Sequence, residues 1–574
     1  MSDVTPITAP ASSPSQHSHG ALAPLRIALF RWLWIAALAS NIGTWVHEVG
    51  AGWMMTELAD KASPQYKLMV ALVQAFTAFP TFLLAIPAGA LADVLDRRKL
   101  LIVGQTAMLV AAAALAVAAF AQMVTPLLLL VVTFALGVGA AVTNPAWQTA
   151  MSDLVPRDQL PQASALNSIS LNLSRAIGPA IGGLIYAKYG PGGAFALNAL
   201  SFIGIIVVLA SWRYAPPAQA APGERFFGAM RAGVRYVRHS PPMRAVLART
   251  VIFVVFASSM WALMPTLASQ ELKLKAAGYG MLLTSLGAGA VSAAFLLPHL
   301  RRRLSPNAVI AIATTICSAA LVSLALVRDQ PAPSVSGVTF PLYSLATMFI
   351  AGMCWLSMVT SLNSSAQMAT PGWVRARALA CYLATFFGSM ALGSLVWGTL
   401  AGQIGTSATL LFAAGGMLAG LLTIKFFPLQ TVNGEDLTKS NSWEDPVTAT
   451  PIGHDDGPVV ITIEYLIDLE DTDAFRAAMQ PVATTRYRDG AISWLLSRDT
   501  EEPTKWLEVF VVESWGEHLR QHSRVTLADK RVQDEAKKFH KGPGRPFVRH
   551  FIASPTGAHT KQPPIPLPAT GHSH

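Results

Sequence analysis

Two ionisable side chains, Glu48 and Arg175, lie deep inside apolar stretches long enough to cross a bilayer. A charge is costly to place in hydrocarbon, so one held there marks an ion or substrate pathway by default. Spacings of four, three and four residues put Asn41, Trp45, Glu48 and Gly52 on one face of a helix. A carboxylate among small and polar neighbours looks into a central cavity, where it could bind and release protons. The competing reading is a structural carboxylate, hydrogen-bonded near the outer end of the helix. Arg175 shares a face with Asn167, Ser174, Gly178 and Gly182. It could pair with Glu48, bind an anionic part of a substrate, or form a fixed ion pair that holds helices together. His47 falls on another face and reads as packing.

Further polar groups in apolar stretches are Asn144, Pro145 and Gln148 in the first half, and Asn363 and Gln367 in the second. Trp45, Trp53, Phe76, Phe79, Trp147, Trp261, Trp355, Phe386 and Trp397 suit an apolar substrate pocket, although aromatics at membrane depth also pack helices or form interfacial belts. Two motifs concern movement rather than binding. Gly178-Pro179-Ala180-Ile181-Gly182-Gly183 sets a proline inside a span, where it kinks the helix, beside glycines that let a partner helix come close. Gly89 to Lys99 is a tight polar turn between two spans: Gly89 permits close approach, Asp93 sits at the membrane edge, and Arg97, Arg98 and Lys99 anchor the turn on the cytoplasmic side.

The elements that must position these residues follow from hydropathy. The chain has 574 residues, is 52% hydrophobic and carries only 13% charged residues. Soluble domains carry about 25%, so the composition is that of a polytopic membrane protein. Apolar runs near 29–55, 68–91, 100–121, 126–150, 163–187, 192–212, 246–268, 279–298, 307–327, 340–362, 377–402 and 407–427 approach the ~20 residues a spanning helix needs. Twelve spans put both termini on one side. Even-numbered loops hold sixteen bases against six in the odd ones, which places the even loops and both termini in the cytoplasm. The net charge of +10 therefore reports membrane topology and not nucleic-acid binding. An offset of 215 residues relates Pro156–Gly190 to Pro371–Gly405, a weak self-similarity expected of two parallel six-helix halves. Cys317, Cys354 and Cys381 all sit in apolar runs, so neither a disulfide framework nor a metal spacing is present.

The turn Gly89-Ala-Leu-Ala-Asp93-Val-Leu-Asp-Arg97-Arg98-Lys99 resembles the signature between helices 2 and 3 of major facilitator superfamily transporters, with Val94 and Asp96 departing from it. Gly178-Pro179-x-x-Gly182-Gly183 resembles the helix 5 signature of the proton-coupled antiporters in that superfamily, with Ser174 in place of an upstream glycine. Thr133 stands where many proton-coupled members have an arginine. Over residues 25–430, these motifs with Ser40-Asn41-x-Gly43-x-Trp45 look like the enterobactin-exporter-like branch, which contains siderophore and drug exporters.

The organisation expected is a disordered tail over 1–24, six-helix halves over 25–213 and 245–428, an amphipathic cytoplasmic loop over 214–244, a linker over 429–457, a soluble domain over 458–553 and a second tail over 554–574. No cleavable signal peptide is expected. In the central loop, Phe226, Phe227, Met230, Val234 and Val237 form one face beside Arg231, Arg235 and Arg238, as in a helix lying on anionic lipid or packed beneath the halves. The soluble domain reads strand-helix-strand-strand-helix-strand, with a single long last helix over 515–539; that order is ferredoxin-like. The fold class is thus an all-α membrane protein of twelve transmembrane helices with a C-terminal α+β domain.

The function these features imply is proton-coupled export of small amphipathic molecules by alternating access across the bacterial inner membrane. Its partners are substrate, protons and lipid, with no cofactor, metal or nucleic acid, and it is not an enzyme. A dedicated siderophore exporter is the alternative, although an anionic substrate calls for more cavity bases than Arg175. A second alternative makes the C-terminal domain a ligand sensor or small monooxygenase around Trp494, Trp506, Trp515, His518 and His522. One helical turn separates those two histidines, but a solvated helix face and a regulatory or dimerising role are preferred. The chain has no phosphate-binding loop of the Gly-x-x-x-x-Gly-Lys-Ser/Thr type, so ATP is not the expected energy source.

Overall fold

The computed structural model describes residues 20, 22–212, 226–327, 334–335, 338–339, 341–429, 436–440, 443, 446 and 448–553. The tail expected over 554–574, most of that over 1–24, and the side chains of Asp93, Phe226 and Phe227 lie outside the described residues. The chain divides into two compact units.

The first unit is helical. Its elements are α1 Ala28–Leu58, α2 Tyr66–Val94, α3 Arg97–Phe120, α4 Pro126–Asp153, α5 Leu160–Ser211, the start of α6 Phe226–His239, α7 Pro241–Thr266, α8 Ala276–Arg301, α9 Pro306–Ala325, α10 Leu342–Met368, α11 Arg375–Ile404 and α12 Thr406–Ala419. Among the described residues, ten helices are long and apolar enough to cross a membrane. One of them, α5, has 52 residues, and Gly190 breaks it with φ 70 and ψ −172. The two spans expected at 163–187 and 192–212 thus correspond to two helices that meet at this glycine, whose backbone conformation other side chains disfavour. α1 is not among the ten; Ser40, Asn41, Thr44, His47 and Glu48 dilute its apolar character. Helix starts follow local chemistry: Asp96, Thr125 and Ser305 each accept a backbone N–H of the first turn of α3, α4 and α9.

Small residues set the helix–helix crossings in this unit. α5 packs on α1 and on α8, and α2 packs on α11. A methyl group on Gly178 would meet the Trp45 Cβ at 2.6 Å, and one on Gly182 the Val46 Cα at 3.0 Å. One on Gly183 would meet the Ala276 carbonyl oxygen at 2.8 Å. Within a membrane, where lipid is as apolar as leucine, such close backbone contact is a main source of helix association.

The second unit comprises Gly434–His574 with two short segments, Arg235–Pro241 and Pro371–Trp373. Its elements are β1 Val459–Leu466, α13 Thr472–Asp489, β2 Ala491–Arg498, β3 Lys505–Val512, α14 Trp515–Arg524, α15 Leu527–Lys537 and β4 Phe547–Ile552. The four strands form one antiparallel sheet in the order β2-β3-β1-β4. The core gathers Ile461, Phe475, Met479, Trp506, Phe510 and Trp515. One expectation is corrected here. The single helix over 515–539 is broken at Val525, because Thr526 starts a new helix with a reciprocal capping box to Asp529. Within the stretch expected as a linker, Trp443 donates to Gln533 Oε1 at 3.0 Å and Lys439 bridges to Thr526.

Candidate functional site

The helices of the first unit enclose a cavity of about 730 Å³. α1 supplies Thr44, His47 and Glu48, and α2 supplies Thr77, Thr81 and Gly89. α4 supplies Thr133, Asn144 and Gln148, and α11 supplies Arg377, Leu383 and Phe387. A second, small cavity of about 40 Å³ adjoins Glu48 and is walled by Trp45, Gly52, Gln74, Trp261 and Tyr279. The lining combines hydroxyl and amide groups with leucine, methionine and phenylalanine, the mixture that suits an amphipathic guest of drug size.

Glu48 is common to both cavities, and Trp45 and Gly52 join it at the smaller one. Asn144 and Gln148 line the larger one. Asn41, Asn167, Asn363 and Gln367 line neither, and the last two are exposed. Arg175 lies with its guanidinium 6.0 Å from the centroid of the Trp45 ring and close enough to Glu48 for the two charges to interact. Its backbone is pinned as well, since a methyl on Gly287 of α8 would fall 2.4 Å from the Arg175 carbonyl oxygen.

His47, Tyr279 and Arg377 are among the lining residues not singled out from sequence as cavity residues. His47 borders the cavity, buried, with its ring 5.2 Å from that of Phe195 and both nitrogens without a hydrogen-bond partner. Tyr279 reaches in from α8 and stacks on Trp53 at 5.9 Å. Arg377 enters from the first turn of α11. Helical spacing gave no sign of Tyr279 or Arg377, because their place depends on which helices meet across the unit.

The two motifs hold helices together. Arg97 pairs with Asp153 of α4 at 2.7 Å, and Arg98 donates to the Leu209 and Ala210 carbonyls at 2.8 and 2.7 Å. The turn thus ties α3 to the ends of α4 and α5. Asp96, which departs from the transporter signature, caps α3 through the Lys99 N–H at 3.1 Å. Glu57 accepts from Trp53 Nε1 at 2.8 Å and from Tyr186 at 2.6 Å, joining the last turn of α1 to the part of α5 just before Gly190.

In the second unit, charges converge in the interior. Glu508 accepts from Arg486 at 2.9 Å, Trp494 at 3.0 Å and Tyr465 at 3.0 Å. Glu517 takes Arg524 at 2.6 Å, Arg235 at 2.8 Å and Arg520 at 2.9 Å. Arg524 lies over Trp373 at 4.5 Å, and Tyr236, 2% exposed, meets the same tryptophan edge-on. The face expected to be solvated around His518 and His522 is instead packed: His518 is 1% exposed, stacked near Trp515 and His550, with its Nε2 3.3 Å from that of His522. Burial and the neighbouring histidines push His518 down to about 3.

Similarity to known proteins agrees with this architecture. The chain is 23% identical over 258 residues to the staphyloferrin A transporter of Staphylococcus aureus, covering 45% of this chain and 64% of that protein. It is 28% identical over 291 residues to the enterobactin exporter EntS of Shigella flexneri, covering 50% of this chain and 64% of that one. The matched region thus spans less than two thirds of either relative's length. Among solved structures, a POT family transporter in complex with a thioalcohol-conjugated peptide superposes with a TM-score of 0.55 at 14% identity, covering 69% of this chain and 95% of that one. The nucleoside transporter NupG superposes with a TM-score of 0.51 at 13% identity, covering 70% and 99%. These structures share the fold of the helical unit. The family model for transmembrane secretion effectors, MFS_3, matches residues 19–556, nearly the whole chain, and the protein belongs to that family.

Proposed function

We propose that the protein is a proton-coupled secondary exporter of small amphipathic molecules, working by alternating access in the bacterial inner membrane with both termini in the cytoplasm. Ten apolar helices, the Gly190 break in α5 and α1 together make up the twelve crossings this reading needs. The observation that carries it is the cavity around Glu48: a carboxylate at membrane depth, facing hydroxyls, amides and apolar side chains in a space of about 730 Å³. Its lining extends to Gly89, Met230 and Arg377 beside the basic turns, so we read it as open to the cytoplasm. Glu48 would take up a proton from outside as substrate leaves, and release it inward as the next substrate binds. The four-stranded sheet we read as a ferredoxin-like regulatory module.

Export of a siderophore is the second reading. Arg377 favours it, since it gives the cavity the base that an anionic substrate needs and that the spans alone did not offer. Transport into inverted membrane vesicles, across a panel of cationic, neutral and carboxylate-bearing compounds with and without a pH gradient, separates the two. Glu48→Gln should abolish the dependence on the gradient. Full gradient-driven uptake by that variant would overturn the proton-coupling role, and selective loss of carboxylate-bearing compounds in Arg377→Gln would favour siderophores.

A further inference from the structure

The sheet of the second unit has two unlike faces. Helices α13, α14 and α15 cover one. On the other, the strand registers align outward residues in rows across all four strands, such as Leu495, Val509, Thr462 and Arg549. Leu495, Phe547 and Phe551 on this face are 53%, 57% and 49% exposed, and Leu507 is exposed beside them. Four strands about 4.8 Å apart and some 20–25 Å long make a patch of about 400–450 Å². The largest patch on a typical monomer is about 300–600 Å² and often functional, so a face of this size is a candidate contact site.

We propose that this open face of β2-β3-β1-β4 binds the same face of a second copy of the protein, sheet against sheet. Charge decides against the lipid surface as occupant. A membrane-binding face carries a basic surplus around its apolar residues. Here Glu464 and Lys505 neutralise each other at 3.3 Å, and Arg549 folds over the Phe547 ring at 4.8 Å. What remains is the single charge of Arg549 beside an apolar centre around Val509 and Val460, which a twofold-related copy matches with its own. Two such faces bury about 900 Å², below the range of stable complexes in dilute solution. Confinement of both copies to one membrane raises their effective concentration and favours pairing there.

The geometry sets the test. Sheets packed face to face lie about 10 Å apart, so residues near the centre of the face approach their own counterparts within that distance. Cys317, Cys354 and Cys381 are replaced by alanine in the full-length chain, and Val509→Cys or Thr462→Cys is introduced. Membranes holding the protein are then treated with a bifunctional maleimide of about 10 Å span. A covalent dimer at both positions is expected, with at least a tenfold lower yield from Ala477→Cys on the helical side of the domain. Adding Leu495→Glu and Leu507→Glu, both at exposed positions, should remove the dimer while leaving maleimide labelling of the single cysteine intact. Two results overturn the proposal: equal yields on both sides of the domain, or no dimer at either central position together with protection of those cysteines by lipid vesicles. Because cross-linking requires no transport, this test can fail while the exporter reading stands.

Discussion

Removal of the Glu508 carboxylate is the sharpest test of the second unit's interior. Glu508 is 0% exposed and accepts three hydrogen bonds, from Arg486, Trp494 and Tyr465. Glu508→Ala leaves the Arg486 guanidinium buried between the rings of Trp443 and Phe510, at 5.0 and 4.7 Å, with its charge unmatched. Breaking one side of a buried pair costs about 3–5 kcal/mol, because the survivor has lost water and gained nothing. At about 1.4 kcal/mol per tenfold, the domain would open roughly two to three and a half orders of magnitude more often. Hydrogen–deuterium exchange of the full-length protein reads this directly, in peptides covering β1 and β3. Arg486→Met combined with Glu508→Leu removes both charges and replaces them with apolar volume, so it should restore most of the protection. The reasoning fails if Glu508→Ala accelerates exchange less than about tenfold, or if the double variant exchanges faster than the single one.

Other consequences can be measured on the same protein. His518 titrates near 3 when folded against about 6.5 when unfolded, so the unfolded chain binds the extra proton as pH falls. Stability is therefore complete above pH 6.5 and declines toward pH 3, by about 2 kcal/mol at pH 5. His518→Phe should flatten that part of the profile, as read by exchange at pH 7 and pH 5. Gly183→Leu would drive a side chain into the Ala276 carbonyl at the α5–α8 crossing. It should lower the thermal stability of detergent-solubilised protein by the equivalent of about 1–3 kcal/mol, and Gly183→Ala by less. Thr526→Ala removes the capping box at the start of α15 and should cost about 1–2 kcal/mol, with faster exchange confined at first to residues 527–537.

Much of the architecture was legible in the chain because the solvent dictates it. In a bilayer a backbone must satisfy its own hydrogen bonds, so long apolar runs become helices whatever surrounds them. Likewise β1 and β4 fall at Val459–Leu466 and Phe547–Ile552, where alternation and β-branched residues point to strands. Local chemistry was readable too, as at Arg97 and Arg98, which open α3 directly after its capping residue Asp96. The helix broken at Val525 was missed because a capping threonine competes with apolar periodicity and wins only where Asp529 answers it.

Which residues meet was another matter. Helical spacing placed Trp45, Glu48 and Gly52 on one face, and they share one cavity wall. Spacing along one helix gave no sign of Tyr279 or Arg377, which line the two cavities, while the polar residues Asn363 and Gln367 are exposed. Periodicity fixes the angle of a side chain about its own helix, but not the partner that helix faces. That choice belongs to the crossings, where Gly178, Gly182 and Gly183 let α1 and α8 reach the backbone of α5. Apolar sequence and basic turns thus determined that this chain is a bundle of membrane helices. Tertiary packing alone decided that Glu48 faces a cavity while Arg175 rests near Trp45, because the position of a charge in a membrane depends on which backbones can approach each other.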